Sequence, residues 1–417
     1  MEQEGRMMTA FGGMVVKPLL ARYGSPLFIV SEMVVRQKIN EIRASLDQYY
    51  PDSEMFYSLK TNTLPAIGML VKRYGARIEV ASGFEYWLAK KIGFFGPEII
   101  FNGPDKKDDE LEAAISDGAM VHIDNEDELE RVGAITRKQP VKIAIGMRVA
   151  TALRTSGKDN RDLEHFPNTW GWRFGFNMAN GDALHIAQRI RSRFPHLDIA
   201  SIHLHLGTRL REPRYFCRAA FEAQTFAREL RSSLGFSAAQ IDLGGGFYET
   251  PIADYIRGIA EEFGSAKDQF RLAIEPGTYI INDAVILATS VLHASDDGKI
   301  QRVTVDASTS LLFPAHFAPL PIVHGTSDGA DDLPLLPSLV FGNSCVNSDV
   351  LATDVELPRL TRGDPVIIPS CGAYTISRSQ QFIYPRPAVV LIDATGSPRV
   401  IREREQNEDL LACDIFP

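Results

Sequence analysis

The chain lacks any run of about 20 apolar residues, so nothing in its 417 residues reads as a membrane-spanning helix. Cysteine is scarce: Cys217, Cys345, Cys371 and Cys413 are scattered with no Cys-x-x-Cys spacing, which indicates neither a disulfide framework nor a zinc site. Blocks of like charge are missing as well. The 44 Lys plus Arg and 53 Asp plus Glu give a net charge of -9 without long single-sign runs, which argues against nucleic acid as a partner. Residues 1–9 hold Glu2, Glu4 and Arg6 and no apolar signal core, so a cytoplasmic location is the default expectation. What is there is 45% hydrophobic and 23% charged, the composition of a globular protein able to bury a sizeable core. At about 100 to 200 residues per domain, the length suggests two or three domains.

From about residue 54, short β-branched or apolar runs alternate with segments of helical period, the pattern of parallel strands joined by helices. Eight strands are expected, at residues 54–60, 77–82, 98–103, 120–125, 141–149, 199–207, 240–247 and 269–277. Eight β/α units fit a (β/α)8 barrel better than an open doubly wound sheet. Beyond Ile280 the helical period fades into short strand-like runs at 284–292, 300–306, 339–342, 365–369 and 388–393. The expected fold is therefore α/β: a barrel over 33–280, and an antiparallel β domain built from 1–32 and 281–417. A strand candidate at 25–30 precedes the first barrel helix and is expected to pair with that second domain. Two long connections, 150–171 and 323–337, are rich in Gly, Asp, Thr and Pro.

In such barrels, polar residues at the C-terminal strand ends face the active site. Here those ends offer Lys60, Glu79 with Ser82, Arg148, His205 with Gly207, the run Gly244, Gly245 and Gly246, and Glu275 with Gly277. Taken singly each has an ordinary structural explanation; a lysine after Phe56-Tyr57-Ser58-Leu59 is usually a solvated strand end. Three glycines where a strand meets a helix let backbone N–H groups approach an anion, the geometry of a phosphate cradle. His203 and His205 share one strand face, which raises metal binding, but no third ligand has fitting spacing and no metal is expected. Glu275, at the end of the last strand, needs a cationic partner if buried, and a protonated ring nitrogen would supply one.

These residues fall into an ordered set of motifs: Tyr57-Ser58-Leu59-Lys60-Thr61-Asn62, Glu79-Val80-Ala81-Ser82, His205-Leu206-Gly207-Thr208, the glycine run after Asp242, Glu275-Pro276-Gly277, Asn343-Ser344-Cys345-Val346-Asn347-Ser348-Asp349, and Gly372-Ala373-Tyr374. In order and spacing, over nearly the whole chain, the sequence resembles the ornithine and diaminopimelate decarboxylases, fold-type III pyridoxal-phosphate enzymes with an alanine-racemase-like barrel. The resemblance implies a decarboxylase, a carboxy-lyase dependent on pyridoxal 5'-phosphate (PLP). It implies that Lys60 carries the cofactor as a Schiff base, His205 stacks on its ring and Glu275 pairs with the ring nitrogen. Thr208, the glycines and Tyr374 would hold the phosphate, with Arg148 and Glu79 near the ring. Cys345 would reach the neighbouring subunit's site as proton donor, which implies a homodimer with shared active sites.

Three positions depart from the family. Its diaminopimelate enzymes carry an arginine after Glu-Pro-Gly, where this chain has Thr278, and another before Pro-Ala, where it has Phe313. The polar residue that follows the cysteine in several members is here Val346. A lost bidentate arginine removes a pair worth about 1.5 to 3 kcal/mol, so other residues must read the far end of the substrate. Candidates are Arg209, Arg211, His316, Asp349, Arg378 and Arg386. These substitutions favour a specialised branch acting on citryl-diaminopropionate in carboxylate siderophore biosynthesis. Conventional diaminopimelate or lysine/ornithine decarboxylation, an amino-acid racemase and a non-catalytic regulator of the same fold are the alternatives. The racemases place an arginine on the ring nitrogen, where this chain offers Glu275, and non-catalytic relatives usually lose part of the lysine, glycine and cysteine set.

Overall fold

The computed structural model describes residues 7–139, 141–151, 173–313, 320–325 and 334–415. Contacts divide the chain into two units: Gln37–Lys60 with Ile67–Ile280, and Met1–Arg36 with Thr61–Ala66 and Ile281–Pro417. No described helix is long and apolar enough to cross a membrane.

Among the described residues the first unit holds a ring of eight parallel strands, Ser53–Ser58, Arg77–Val80, Ile99–Phe101, Met120–Ile123, Ile143–Ala150, Leu197–His203, Gln240–Asp242 and Arg271–Ile274, with the short Phe176–Asn177 added parallel to the fifth. Each pairs with the next, and the eighth pairs with the first through Ala273 and Glu54, which closes the barrel. The expected strands are all present, but most end two to five residues earlier than the sequence suggested. The seventh stops at Asp242 because the glycines beyond it leave the extended conformation, with Gly244 at φ 65° and Gly246 at φ 106°.

Helices between the strands bury one apolar stripe. In Ile252–Phe263 the buried positions Ile252, Tyr255, Ile256, Ile259, Ala260 and Phe263 recur at the three- and four-residue spacing of a single helix face. Ser82 starts the helix Gly83–Ile92 by accepting the Glu85 N–H at 3.3 Å, a cap typically worth about 1 kcal/mol. Ser82 therefore serves the fold as an N-cap.

Inside the barrel the two-residue period of a strand stacks side chains in levels. Phe56, Ile100, Met120 and Ala273 pack as an apolar plug. Two residues further along the same strands come Ser58, Asn102, His122 and Glu275, all buried and polar. Gly146 makes room for this level: a Cβ there would fall 1.7 Å from the His122 ring.

The second unit holds a sheet whose main path runs Val350–Pro358, Leu335–Phe341, Gln301–Val305, Val285–Asp296, Leu27–Ser31, Ala388–Ile392, Pro398–Arg402, with Pro365–Ile368 also paired to Val285–Asp296 and Val323–His324 beyond it. Leu27–Ser31, buried at every position, pairs with Val285–Asp296, as the strand expected at 25–30 should. The sheet is mixed rather than wholly antiparallel, since Leu27–Ser31 runs parallel to Ala388–Ile392 and Gln301–Val305 parallel to Leu335–Phe341. Both parallel pairs join segments separated by long stretches of chain, so no tight hairpin dictates their direction. Val350–Pro358 and Pro398–Arg402 escape the sequence reading because Asp, Glu, Pro and Arg dilute their strand signal.

Candidate active site

The polar level of the barrel begins at Lys60, in a single turn (Leu59–Thr61) just past the first strand. Its ammonium donates to Ser58 Oγ at 2.7 Å and to Glu79 Oε2 at 2.5 Å, with the lysine side chain still 37% exposed. Glu79 also accepts from Ser58 Oγ–H on Oε2 and from Asn102 Nδ2–H on Oε1, at 3.1 Å. Burial pushes the Glu79 carboxyl up, but the Lys60 charge and the hydrogen bonds from Lys60, Ser58 and Asn102 outweigh it and hold the pKa below the ordinary value.

Asn102 donates a second time, to Glu275 Oε1 at 2.6 Å. Glu275 is held well above the ordinary carboxylate range by burial, then by the negative charges of Asp242 and Glu79. Asp242 is likewise pushed up by burial, although Gly244 N–H donates to its Oδ1 at 2.9 Å. Two buried carboxyls this close do not both ionise without a cation between or beside them.

Three histidines complete the level. Asn102 Oδ1 can only accept, so His122 donates through Nδ1 (2.7 Å), and its Nε2 accepts from Ser201 Oγ–H at 3.0 Å. His205 Nδ1 accepts the Gly245 N–H at 3.3 Å, which places the ring proton on Nε2. Both rings are thus neutral, and burial lowers each pKa to about 3, helped by Lys106 and Arg148 for His122 and by Arg148 and Lys60 for His205. His203 stacks on His122 at 4.7 Å between centroids, its Nε2 3.8 Å from Glu275 Oε2; burial, then His122 and Arg148, hold it neutral too.

The pH dependence of stability follows for the cofactor-free protein. At pH 5 the three histidines are proton-free when folded, and each takes a proton on unfolding, at an ordinary pKa of about 6.5. Asp242 and Glu275 act oppositely, each releasing on unfolding a proton that the fold retains. Glu85, pushed up to about 7 mainly by burial, releases a third. Three protons gained against three lost nearly cancel, so stability should stay almost flat between about pH 5 and 6. Urea unfolding at pH 5, 5.5 and 6 measures this slope, and a fall of roughly 4 kcal/mol per unit would show that the histidines are not neutral in the fold.

The glycine run supplies the remaining wall. A Cβ on Gly246 would lie 2.4 Å from Gly207 O, and one on Gly244 2.7 Å from His205 Nδ1, so only glycine permits this close passage of the sixth and seventh strand ends. Arg148 is paired with Asp124 at 3.1 Å and lies over the Phe174 ring.

A sequence profile described as pyridoxal-dependent decarboxylase, pyridoxal binding domain, matches residues 35–282, well over half of the chain. The chain belongs to the pyridoxal-dependent decarboxylases. It is 28% identical to a diaminopimelate decarboxylase of Methanothermobacter thermautotrophicus, over 97% of this chain and 95% of the relative. It is 27% identical to that of Aquifex aeolicus, over 94% and 92%. Its fold matches the crystal structure of M. jannaschii diaminopimelate decarboxylase in complex with L-lysine, with a TM-score of 0.87 at 24% identity, covering 97% of this chain and 95% of that one. A lysine/ornithine decarboxylase from Vibrio vulnificus aligns with a TM-score of 0.75 at 22% identity, covering 91% of this chain and 97% of that one.

This decarboxylase is a PLP-dependent carboxy-lyase, and its barrel residues fit the cofactor. Glu275 is a buried carboxyl that a cationic ring nitrogen would ionise, the glycine run is a cradle that any Cβ would fill, and Lys60 is an amine reachable from outside. His122, His203, Asp242 and Glu275 also bring four possible metal-ligand atoms within 4.8 Å of one another. The sequence showed no third ligand beside His203 and His205 because the partners come from other strands. His205 is not part of this cluster, and Glu275 belongs to the cofactor position as well.

In the other unit, Tyr374 adopts φ 56° and its N–H donates to Thr61 O at 2.8 Å. Cys345 is exposed, on a loop organised by Asp349, whose carboxylate accepts from the backbone N–H of Ser344 (2.9 Å) and Thr309 (2.8 Å). Asp349 thus serves the loop, rather than standing open to a substrate. Arg386 is likewise committed, donating to Glu405 Oε1 at 2.6 Å, and Arg211 grips Glu249 with two nitrogens at 2.6 and 2.8 Å. His316 lies outside the described residues. The guanidinium groups of Arg209, over the Tyr248 ring, and Arg378, 3.3 Å from the Phe313 ring centroid, make no hydrogen bond or ion pair among the described residues. The sequence reading missed Asn102, His122 and Ser58 as site residues. Asn102 lies within the third strand as first expected, and asking which side chain that strand presents beside Glu79 would have found it.

Proposed function

We propose that this decarboxylase removes the α-carboxylate of an amino acid with a second charged group at its far end, meso-diaminopimelate being the favoured substrate. The observation that carries the reading is the hydrogen-bonded line from Lys60 through Glu79 and Asn102 to Glu275, which ties a reactive amine to a carboxyl suited to a ring nitrogen. Relatives named diaminopimelate decarboxylase, matched along nearly the whole chain, support the substrate class.

In this reading Lys60 is the covalent anchor of PLP, His205 lies against its ring and Glu275 pairs with the ring nitrogen. Glu79 and Arg148 flank the ring, and Thr208, Gly244, Gly245, Gly246, Gly277 and Tyr374 hold the phosphate. When bound, PLP supplies the electron sink for the pair left as carbon dioxide departs. The neutral His205 adds no charge against the ring face. Cys345 Sγ–H returns a proton to the α-carbon, and the Lys60 amine then takes back its place as the product leaves. Arg378 or Arg209 reads the distal carboxylate, in place of the arginines replaced by Thr278 and Phe313. The reading includes a homodimer: Cys345, Val346, Phe382, Ile383 and Tyr384 are exposed in one unit, and a second copy would cover this apolar surface.

Citryl-diaminopropionate is the second reading, favoured by Thr278, Phe313 and Val346. Carbon dioxide release from meso-diaminopimelate, lysine, ornithine, arginine and the citryl amide separates the two. Turnover of meso-diaminopimelate to lysine is expected. Release from the citryl amide alone would move the enzyme to the second reading, and release from none would sink both.

A further inference from the structure

Asn102 takes no chemical step in the reading above, yet all its polar atoms are engaged. Its two amide N–H groups reach Glu275 Oε1 at 2.6 Å and Glu79 Oε1 at 3.1 Å, and its carbonyl accepts from His122 Nδ1 at 2.7 Å. The reverse orientation would set its oxygen against two carboxylates, so the amide has one workable placement. His122 props it from behind, held in turn by Ser201 Oγ, which accepts from Gln240 Nε2 at 3.3 Å. The titratable groups around this centre are Lys60, Glu79, His122, His203, Asp242 and Glu275, with Lys106 and Arg148 acting on the histidines.

We infer that Asn102 is a positioning residue that couples the two ends of the cofactor site, tying the carboxylate paired with Lys60 to the carboxylate that faces the ring nitrogen. The inference rests on the PLP roles proposed for Lys60 and Glu275. A neutral double donor is suited to the task. It stabilises negative charge on both carboxylates without adding a charge of its own, and occupying Oε1 of Glu275 leaves Oε2 for the ring. An aspartate in its place keeps the shape and the acceptor for His122. It offers a donor to only one carboxylate, and only while protonated.

The test uses PLP-loaded enzyme and the variants Asn102→Leu and Asn102→Asp. For Asn102→Leu, kcat is expected to fall about tenfold or more with KM changed less than about threefold. The pH midpoint of the bound cofactor's visible absorbance should move by about one unit, and the Kd for PLP should rise about tenfold. Asn102→Asp guards against a folding failure of the leucine variant. Its kcat should recover relative to wild type as pH falls from 8 to 6, because protonation restores one donor. Variants whose absorbance titration, PLP affinity and pH profile match wild type, with only thermal stability reduced, would overturn the inference and leave Asn102 a structural residue. A wild-type protein that takes up no PLP would instead overturn the underlying reading.

Discussion

Lys60→Ala should lower decarboxylation by about a thousandfold or more, because the residue is asked to anchor the cofactor and to displace it again at product release. The loss is not a trivial consequence of unfolding. The Lys60 side chain is 37% exposed and Glu79 only 1%, so the alanine variant leaves a buried carboxyl without its counter-charge, which that carboxyl can relieve by taking up a proton. Lys60→Arg sharpens the test, since a guanidinium keeps the positive charge beside Glu79 but does not condense with an aldehyde. Both variants should lose turnover alike, while the arginine variant keeps the wild-type melting temperature more closely. Rates within tenfold of wild type in either variant, measured as carbon dioxide release, would remove Lys60 from the mechanism.

Glu275→Gln should lower kcat by about 100- to 1000-fold, the usual effect of removing a preorganised electrostatic partner of developing charge. Glutamine preserves the shape and can keep a hydrogen bond to Asn102, but it carries no negative charge for a ring nitrogen. The same change puts a neutral group of the same shape in place of a carboxyl that burial, then the charges of Asp242 and Glu79, hold well above its ordinary range. The cofactor-free variant should therefore be at least as stable as wild type at pH 7 even as activity collapses. Loss of stability together with activity would point to a structural role for the carboxylate.

The barrel was legible because every one of its strands carries a run of β-branched or apolar residues bounded by a helical segment. Lys60, Glu79, His205 and Glu275 were legible because a parallel barrel gathers its C-terminal strand ends on one face. What could not be read is the network joining them. Asn102 follows the third strand, and His122, Ser201 and Gln240 lie on the fourth, sixth and seventh, so only the closed barrel brings them within hydrogen-bond reach of one another. The distal-group candidates were hidden for a different reason. A surface arginine and a substrate-reading arginine have the same sequence signal, and only the structure shows Arg386 held by Glu405 and Arg211 by Glu249, with the Arg378 guanidinium lying over Phe313 and making no ion pair among the described residues. The direction of strand pairing in the second unit depends on chain-distant partners, so local periodicity carried no information about it.

The most direct test of the account is borohydride reduction of the PLP-loaded enzyme followed by peptide mapping. A single pyridoxyl group on Lys60 is the predicted result. Label on another lysine, or no label in protein that retains decarboxylase activity, would contradict it.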